Sequence, residues 1–264
     1  MIQQSRIQLD TVQESNKRSI TPNNSFIRLK DVAVAYGQEV ALFDISLEIS
    51  PGEFIGICGP NASGKTTLLK TILGIIKPFQ GIVTLFGKDV SKGGLSHADR
   101  FRIGYVPQLL NIDRNFPASV QDVILMGRYS RIGLFRRIRK EDRQKAWEAA
   151  EKVHLEDTLK RPIGHLSGGQ QQKVLIAQVL AQNPEILMMD EPTSALDFKM
   201  ARSVMKLLDE LNRNYGLTIF TINHNIRLLR EFSQRIICIN KRIAFDGSPN
   251  DPVLESVVEK VFFS

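Results

Sequence analysis

The string GPNASGKT at residues 59–66 fits the pattern G-x-x-x-x-G-K-[ST], in which a glycine-rich loop binds nucleotide phosphates. Glycine at both ends of the loop allows a backbone geometry that points N–H groups inward at the phosphates. We expect Lys65 to reach the β- and γ-phosphates and the Thr66 hydroxyl to ligate Mg²⁺. The alternative is a strand–turn–helix that binds no nucleotide. The predicted nucleotide-binding residues here are Gly59, Pro60, Asn61, Ala62, Ser63, Gly64, Lys65, Thr66 and Thr67.

Two adjacent carboxylates follow a second apolar run, ILMM at residues 186–189. The end of such a strand lies at the edge of a parallel sheet where α/β proteins bind ligands. We therefore predict that Asp190 helps to hold Mg²⁺, usually through water. A carboxylate at Glu191 could orient or deprotonate an attacking water. The alternative for Glu191 is a helix-start carboxylate in a favourable dipole field.

A second anion-binding pattern, LSGGQ, occupies residues 166–170 just before a helical stretch. Backbone N–H groups at a helix N-terminus attract anions. The pattern has no lysine, so it cannot replace the first loop, but it could hydrogen-bond a γ-phosphate that is already held elsewhere. An isolated Ser-Gly-Gly is more often a simple helix cap. The candidate residues are Ser167, Gly168, Gly169 and Gln170.

Together with GPNASGKTT and ILMMDEP, the LSGGQ string closely resembles the ATP-binding cassette (ABC) ATPase family, over about residues 26–250. The resemblance implies that the LSGGQ loop of one subunit closes over the ATP held by the P-loop of its partner. Two copies would then sandwich two ATP molecules head to tail. The implied cofactors are ATP and Mg²⁺, and the implied reaction is ATP hydrolysis.

Four further positions resemble functional residues of that family. Tyr36 resembles the aromatic that stacks on adenine, and its alternative is a strand-end tyrosine. Gln108 resembles the residue that senses Mg²⁺ and the attacking water and links the core to the helical subdomain. SALD at 194–197 resembles the loop that crosses the dimer interface, with Asp197 as its acidic member. His224 resembles the switch histidine that contacts the γ-phosphate, although a lone histidine is more often structural.

Four positions depart from the family pattern. Ala62 stands where glycine is frequent, and we expect it to be tolerated only if its φ is negative. Lys173 and Gln178 stand where the family often has arginine, and Asn225 follows the histidine where aspartate is usual. The change at Asn225 reduces the expected local support of His224. None of the changes removes a phosphate, metal or water ligand, so ATP hydrolysis remains the expectation.

The order of apolar runs predicts an α/β fold: a P-loop NTPase core with a mainly parallel sheet, an antiparallel β-subdomain and an inserted helical subdomain at about 112–180. Strand-like runs that are apolar throughout and alternate with helices are typical of a parallel sheet covered on both faces. We expect the helix after the P-loop to stop at Lys77-Pro78. A second helix is expected over residues 141–157. Residues 1–24 are interpreted as a mobile N-terminal tail and 25–264 as the ATPase domain.

Composition and charge limit the location and the partners of the chain. The longest apolar runs fall far short of the roughly 20 residues that span a bilayer, and the start lacks a signal-peptide pattern, so a cytosolic chain is expected. Much of the net charge of +7 lies in residues 128–140. This basic segment could be a solvated face, or could contact an acidic protein groove or anionic lipid. Aromatics are few in the chain, so a base-stacking platform is not expected, and neither is a nucleic-acid partner.

The two cysteines and the four histidines do not suggest a metal centre. Cys58 and Cys238 sit alone in apolar strand-like runs, which favours small buried hydrophobes in a reducing compartment. The histidines are scattered and show no metal-ligand spacing. Any metal that the protein handles is therefore not expected to be held by this chain alone.

A cassette ATPase without a membrane span would work against other subunits. The resemblance implies that it opens and closes as a homodimer against transmembrane permease subunits, at the cytoplasmic face of the cell membrane, with an extracytoplasmic solute-binding protein. The helical subdomain would dock coupling helices of the permease. Residues 116–142 most resemble ATPases of zinc- and manganese-type metal-ion importers, and cassettes for iron chelates and cobalamin are next.

Three other classes remain as alternatives. A soluble ABC protein of DNA repair or translation usually carries two cassettes in tandem or a long coiled-coil insertion, and the sequence has neither. A P-loop GTPase or small kinase is the second class, but a GTPase needs N-K-x-D, and NKRI at residues 240–243 lacks the acid. A non-catalytic nucleotide-binding module is the third.

Overall fold

The computed structural model describes residues 25–108, 112–133 and 137–263, so the predicted N-terminal tail lies outside the described residues. Within these ranges a six-stranded sheet has the strand order β10-β9-β3-β8-β7-β6. The strands from β9 to β6 pair in parallel, whereas β10 is antiparallel to β9. The mainly parallel core sheet is therefore confirmed. Its strands are β3 (Phe54–Cys58), β6 (Ile103–Val106), β7 (Ile186–Asp190), β8 (Thr218–Ile222), β9 (Arg235–Asn240) and β10 (Arg242–Gly247).

The remaining strands form the predicted antiparallel subdomain, a sheet with the order β2-β1-β4-β5. Side chains from its inner face pack with the helix after the P-loop in one hydrophobic core, which includes Val34, Leu42 and Leu68. The strands are β1 (Ile27–Tyr36), β2 (Glu39–Ile49), β4 (Gln80–Leu85) and β5 (Lys88–Asp89).

Helices cover both faces of the core sheet and build the inserted subdomain. Their bounds are α1 (Lys65–Ile72), α2 (His97–Arg100), α3 (Val120–Ile132), α4 (Lys140–Lys152), α5 (Gly168–Leu180), α6 (Phe198–Tyr215), α7 (Ile226–Phe232) and α8 (Val253–Phe263). Two 3₁₀ turns, Glu156–Thr158 and Ile163–His165, connect α4 to α5. Helices α3, α4 and α5 share a core that includes Ile124, Ala150 and Val174. None of the helices in the described ranges is long and apolar enough to cross a membrane.

Two helices end earlier than the sequence predicts. Helix α1 stops at Ile72 because Gly74 adopts a φ of +68° and the N–H of Ile75 returns to the carbonyl of Lys70 at 2.9 Å. Helix α4 ends in the same way at Lys152, with His154 at a φ of +58°. A left-handed residue just past the last turn is a common helix terminator. The predicted ends at Lys77-Pro78 and at residue 157 were therefore too late.

The helical subdomain depends on a close approach between α3 and α5. A Cβ added to Gly127 on α3 would lie only 1.8 Å from the backbone carbonyl oxygen of Gln178 on α5. Beside this contact, the guanidinium of Arg128 is buried, pairs with Asp142 on α4 at 3.1 Å and donates to the Ala181 carbonyl at 3.0 Å. The contact between Gly127 and Gln178 thus sets the distance between α3 and α5. The ion pair of the adjacent Arg128 with Asp142 attaches α4 to them.

We predict that Gly127→Ala lowers the free energy of unfolding by about 2 kcal/mol or more, because α3 and α5 must separate to admit the methyl group. In a domain of this size that corresponds to a fall of roughly 4–8 °C in the unfolding midpoint, measured by calorimetry. Gly93→Ala is the matched control, since a Cβ at Gly93 meets nothing within 4 Å. Equal midpoints for the two variants would show that the α3–α5 spacing is not constrained at Gly127.

Candidate functional site

The P-loop packs closely against strands β9 and β2. A Cβ on Gly59 would lie 2.1 Å from the carbonyl oxygen of Ile239 at the end of β9. A Cβ on Gly64 would lie 2.7 Å from the carbonyl oxygen of Ala41 on β2, and Gly64 has a φ of +98°. Gly59 has a φ of +153°, so both positions require glycine for space and for backbone conformation.

Lys65 is folded back into this loop. Its ammonium donates to the carbonyls of Gly59 at 3.0 Å and of Pro60 at 2.7 Å. Burial lowers the pKa of Lys65, while the carboxylates of Glu191 and Asp190 act in the opposite direction. The Ser63 hydroxyl nearby is buried and has no hydrogen-bond partner. A loop with a desolvated cation and an unpaired hydroxyl fits a polyphosphate group.

The condition set for tolerating Ala62, a negative φ, is not met. Ala62 adopts a φ of +60°, in the left-handed region, which costs a residue with a Cβ roughly 1–2 kcal/mol. The conformation is imposed by the loop around it. Ser63 donates its N–H to the Pro60 carbonyl at 3.3 Å and accepts at its own carbonyl from Lys241 at 2.8 Å. Ala62 itself is exposed, so its methyl group meets no steric obstacle.

The two predicted carboxylates lie at the end of β7, as expected. Asp190 is buried, and that burial raises the pKa of its carboxyl group, while a hydrogen bond from the Thr66 hydroxyl lowers it. Glu191 has a φ of +50°. Its Oε1 is joined to His224 Nε2 at 2.5 Å, and its Oε2 accepts from Gln108 Nε2 at 3.3 Å. Three residues that are far apart in sequence thus meet at one carboxylate.

Ser194 also contacts this cluster, which the sequence motifs do not predict. Its hydroxyl donates to the Glu191 carbonyl at 3.1 Å and accepts from Gln108 Nε2 at 3.1 Å. The Ser194 hydroxyl therefore connects the backbone carbonyl of the catalytic candidate Glu191 with the side chain of Gln108. Its place in the SALD string was the one available signal.

The LSGGQ loop forms a capping box at the start of α5. The Ser167 hydroxyl accepts from the N–H of Gln170 at 3.4 Å, and the Gln170 side chain accepts from the N–H of Ser167 at 3.1 Å. The helix-cap interpretation therefore describes this single chain. Ser167 is nevertheless exposed, and a Cβ on Gly169 would lie 3.4 Å from Met200 on α6. The loop thus borders the segment that follows Glu191.

Three other predicted residues lie at exposed or capping positions. Tyr36 is 52% exposed at the end of β1, with its hydroxyl 3.5 Å from Thr67 Oγ1 on α1. Asp197 is the N-cap of α6, and Asn225 is the N-cap of α7. Asparagine caps a helix as well as aspartate does, so the departure at Asn225 keeps the cap of α7.

The two cysteines lie side by side beneath the P-loop. Cys58 on β3 is the register partner of Cys238 on β9, and both are free and buried. The hydrogen bond to Cys238 and burial raise the pKa of the Cys58 thiol. Both cysteines are thus buried hydrophobes, as predicted, and a thiol of raised pKa in such surroundings is unreactive.

Comparison with known proteins identifies the family. A sequence model of the ABC transporter family matches residues 42–194. The manganese transport system ATP-binding protein MntB of Bacillus subtilis is 42% identical over 232 residues, 88% of this chain and 90% of that protein. The zinc uptake system ATP-binding protein ZurA of Listeria innocua is 39% identical over 229 residues, 86% of this chain and 88% of that protein.

Solved structures show the same architecture. A dimeric ATP-binding cassette in a post-hydrolysis state, bound to ADP and Pi, is 32% identical and has a TM-score of 0.67. The match covers 85% of this chain and 99% of that one. The family match, the relatives and the fold agree, so the chain belongs to the ABC transporter family and is one of its ATP-hydrolysing cassettes.

Proposed function

We propose that this ATPase powers the movement of a divalent transition-metal ion of the zinc or manganese type across the cytoplasmic membrane. The observation that carries the proposal is the similarity to the manganese transport protein MntB, which extends over 88% of this chain. The similarity to a zinc uptake protein supports the same ion class. Cassettes for iron chelates or cobalamin are the alternative.

In the proposed site, Lys65 and the loop amides hold the phosphates of ATP, and the unpaired Ser63 hydroxyl supplies a further donor. Thr66, Gln108 and Asp190 are the residues that would hold Mg²⁺, since the Thr66 hydroxyl already bonds to the Asp190 carboxylate. The bound ion supplies neutralisation of the charge on the β- and γ-phosphates. Tyr36, half exposed beside α1, would stack on the adenine.

Glu191 is the proposed general base for the attacking water. Its two carboxylate oxygens are bonded to His224 and Gln108. For catalysis, His224 would transfer its hydrogen bond to the γ-phosphate, which frees Oε1 of Glu191 to accept a proton from water. Gln108 would then orient that water. The same three side chains thus form a resting cluster and a catalytic one.

A second copy of the chain would complete each site. Ser167 is the exposed N-cap of α5, and Gly168 and Gly169 are the first residues of that helix, where helix N–H groups attract anions. We infer that they cap the γ-phosphate on the partner's P-loop. The dimeric cassette with ADP and Pi supports this arrangement.

The proposed permease contact is a groove on the helical subdomain. An opening of about 400 Å³ has Phe116, Pro117 and Pro162 among its apolar lining residues and Arg114, Lys160 and His165 among its polar ones. One wall follows Gln108 in the chain and the other precedes Ser167. A cytoplasmic helix of the permease docked here would hold the ATPase at the cytoplasmic face of the membrane. An extracytoplasmic solute-binding protein would deliver the ion from the other side.

We predict that Glu191→Gln lowers kcat for ATP hydrolysis by roughly a hundredfold or more, because the amide cannot accept a proton. The variant should still bind ATP and should form a homodimer in saturating Mg-ATP, detected by light scattering. Glu255→Gln, at an exposed position on α8, is the control and should hydrolyse ATP normally. Wild-type turnover by Glu191→Gln would refute the base assignment, and a variant that stays monomeric even with the permease would refute the shared site.

We also predict that cells without this chain take up radiolabelled manganese or zinc several-fold more slowly than the parent strain. The wild-type chain should restore uptake, and the folded but inactive Glu191→Gln variant should not, because uptake depends on hydrolysis. Iron-chelate and cobalamin uptake measured in the same cells test the alternative. Loss of chelate uptake with normal metal-ion uptake would overturn the proposed ion class.

A further inference from the structure

We propose that Asn223 is a positioning residue for ATP hydrolysis. Its buried amide fastens the turn that follows Glu191 to the loop that carries His224. The proposal rests on the roles of Glu191 and His224 given above, and it concerns a residue that belongs to none of the sequence motifs.

Asn223 is fixed at its backbone and at both ends of its side chain. It directly follows β8, and its N–H donates to the carbonyl of Ile57 on β3 at 3.0 Å. Its Nδ2 donates to Thr193 Oγ1 at 2.9 Å, and its Oδ1 accepts from the N–H of Asn225 at 2.8 Å. With 4% of its surface exposed, the amide has little access to water as a substitute partner, so loss of either bond leaves a buried polar group unpaired.

These bonds join the two chain segments that meet at the catalytic carboxylate. Thr193 lies two residues after Glu191, and Asn223 lies one residue before His224. The Asn223–Thr193 bond therefore runs behind the 2.5 Å contact between His224 and Glu191 and fixes the spacing of the backbones that carry them. Small changes in such spacing have large effects on rate, because reacting groups must be held in an attack geometry.

The backbone conformation of Glu191 explains why the turn that follows it must be held by hydrogen bonds. Glu191 has a φ of +50°, a conformation that persists at functional sites only where the surroundings hold it. The Ser194 hydroxyl holds the Glu191 carbonyl from the exposed side. Asn223 holds Thr193 from the buried side, and its Nδ2 also lies 3.8 Å from Met205 Sδ on α6.

An opening beside the Asn223–Thr193 hydrogen bond lets side chains exchange hydrogen-bond partners while the backbone stays in place. An opening of about 220 Å³ is lined by Glu191, Ser194 and His224 and also by Thr193 and Asn223. His224 and Glu191 can therefore rearrange into the opening when nucleotide arrives. A neutral amide suits this position because it supplies a donor and an acceptor and adds no third negative charge beside Asp190 and Glu191.

The test removes each partner of the Asn223–Thr193 hydrogen bond in turn and then restores a hydroxyl at position 193. Asn223→Ala and Thr193→Val should lower kcat for ATP hydrolysis by about tenfold or more and leave the KM for ATP within about twofold, because the phosphate contacts are untouched. Thr193→Ser keeps the hydroxyl and should restore most of the rate. Combining Asn223→Ala with Thr193→Val should cost little beyond Asn223→Ala alone, because the bond that Thr193→Val removes is already lost in Asn223→Ala.

Asn212→Ala is the matched control. Asn212 is another buried amide, 4% exposed, whose Nδ2 donates to the Gly52 and Leu217 carbonyls away from the carboxylate cluster. We expect it to lower the unfolding midpoint and leave kcat unchanged at temperatures where the variant is folded. Unchanged kcat in both Asn223→Ala and Thr193→Val, with Glu191→Gln inactive, would refute the positioning role and leave the proposed base intact. Failure of Thr193→Ser to regain activity would also refute it, whereas an active Glu191→Gln would refute the catalytic assignment itself.

Discussion

The register of three parallel strands is the constraint on which the site depends. Ile222 on β8 pairs with Ile57 on β3 and with Asp190 on β7, so these three strands end along one line. The P-loop, Glu191 and His224 each follow within two residues of those pairs. A shift of one residue in any pairing would separate the groups by about 3.3 Å along the strand and turn side chains to the opposite face. These fully buried strands therefore act as the rigid support that catalytic geometry needs.

Electrostatics at that edge favour a bound nucleotide. Burial opposes the charged forms of both Lys65 and Asp190, lowering the pKa of the lysine and raising that of the aspartate. The lysine has backbone carbonyls as its hydrogen-bond partners, and carbonyls compensate a buried cation less well than an anion does. Phosphate oxygens would supply that anion, and a magnesium ion would offset the carboxylates. Part of the free energy that was lost in desolvating these groups is thus recovered when ATP and the metal bind together.

Much of this site could be predicted from the sequence because its parts are local. GPNASGKT, the Asp-Glu pair in ILMMDEP and the histidine after LTIFTI each stand at the end of a strongly apolar strand. Parallel pairing brings the ends of such strands together. The missing parts depend on tertiary contacts. The positive φ of Ala62 reflects the bond from the Lys241 N–H to the carbonyl of the adjacent Ser63, and the early end of α4 depends on a left-handed His154. Asn223 had a weaker signal, a polar residue directly after an apolar strand, and such a signal does not reveal that Thr193 is its partner.

The two anion-binding loops explain why one chain alone should be a poor ATPase. In the single chain, Ser167 is occupied with its own helix cap, and Glu191 is occupied by His224 and Gln108. In the proposed mechanism both arrangements open before a γ-phosphate is capped and a water activated, and a second copy would supply the interactions that favour opening. The proposed permease groove lies between the chain segments that lead from Gln108 and into Ser167. A movement of a partner docked there would therefore reach the proposed water-orienting side and the proposed phosphate-capping side, and would couple hydrolysis to transport through the helical subdomain.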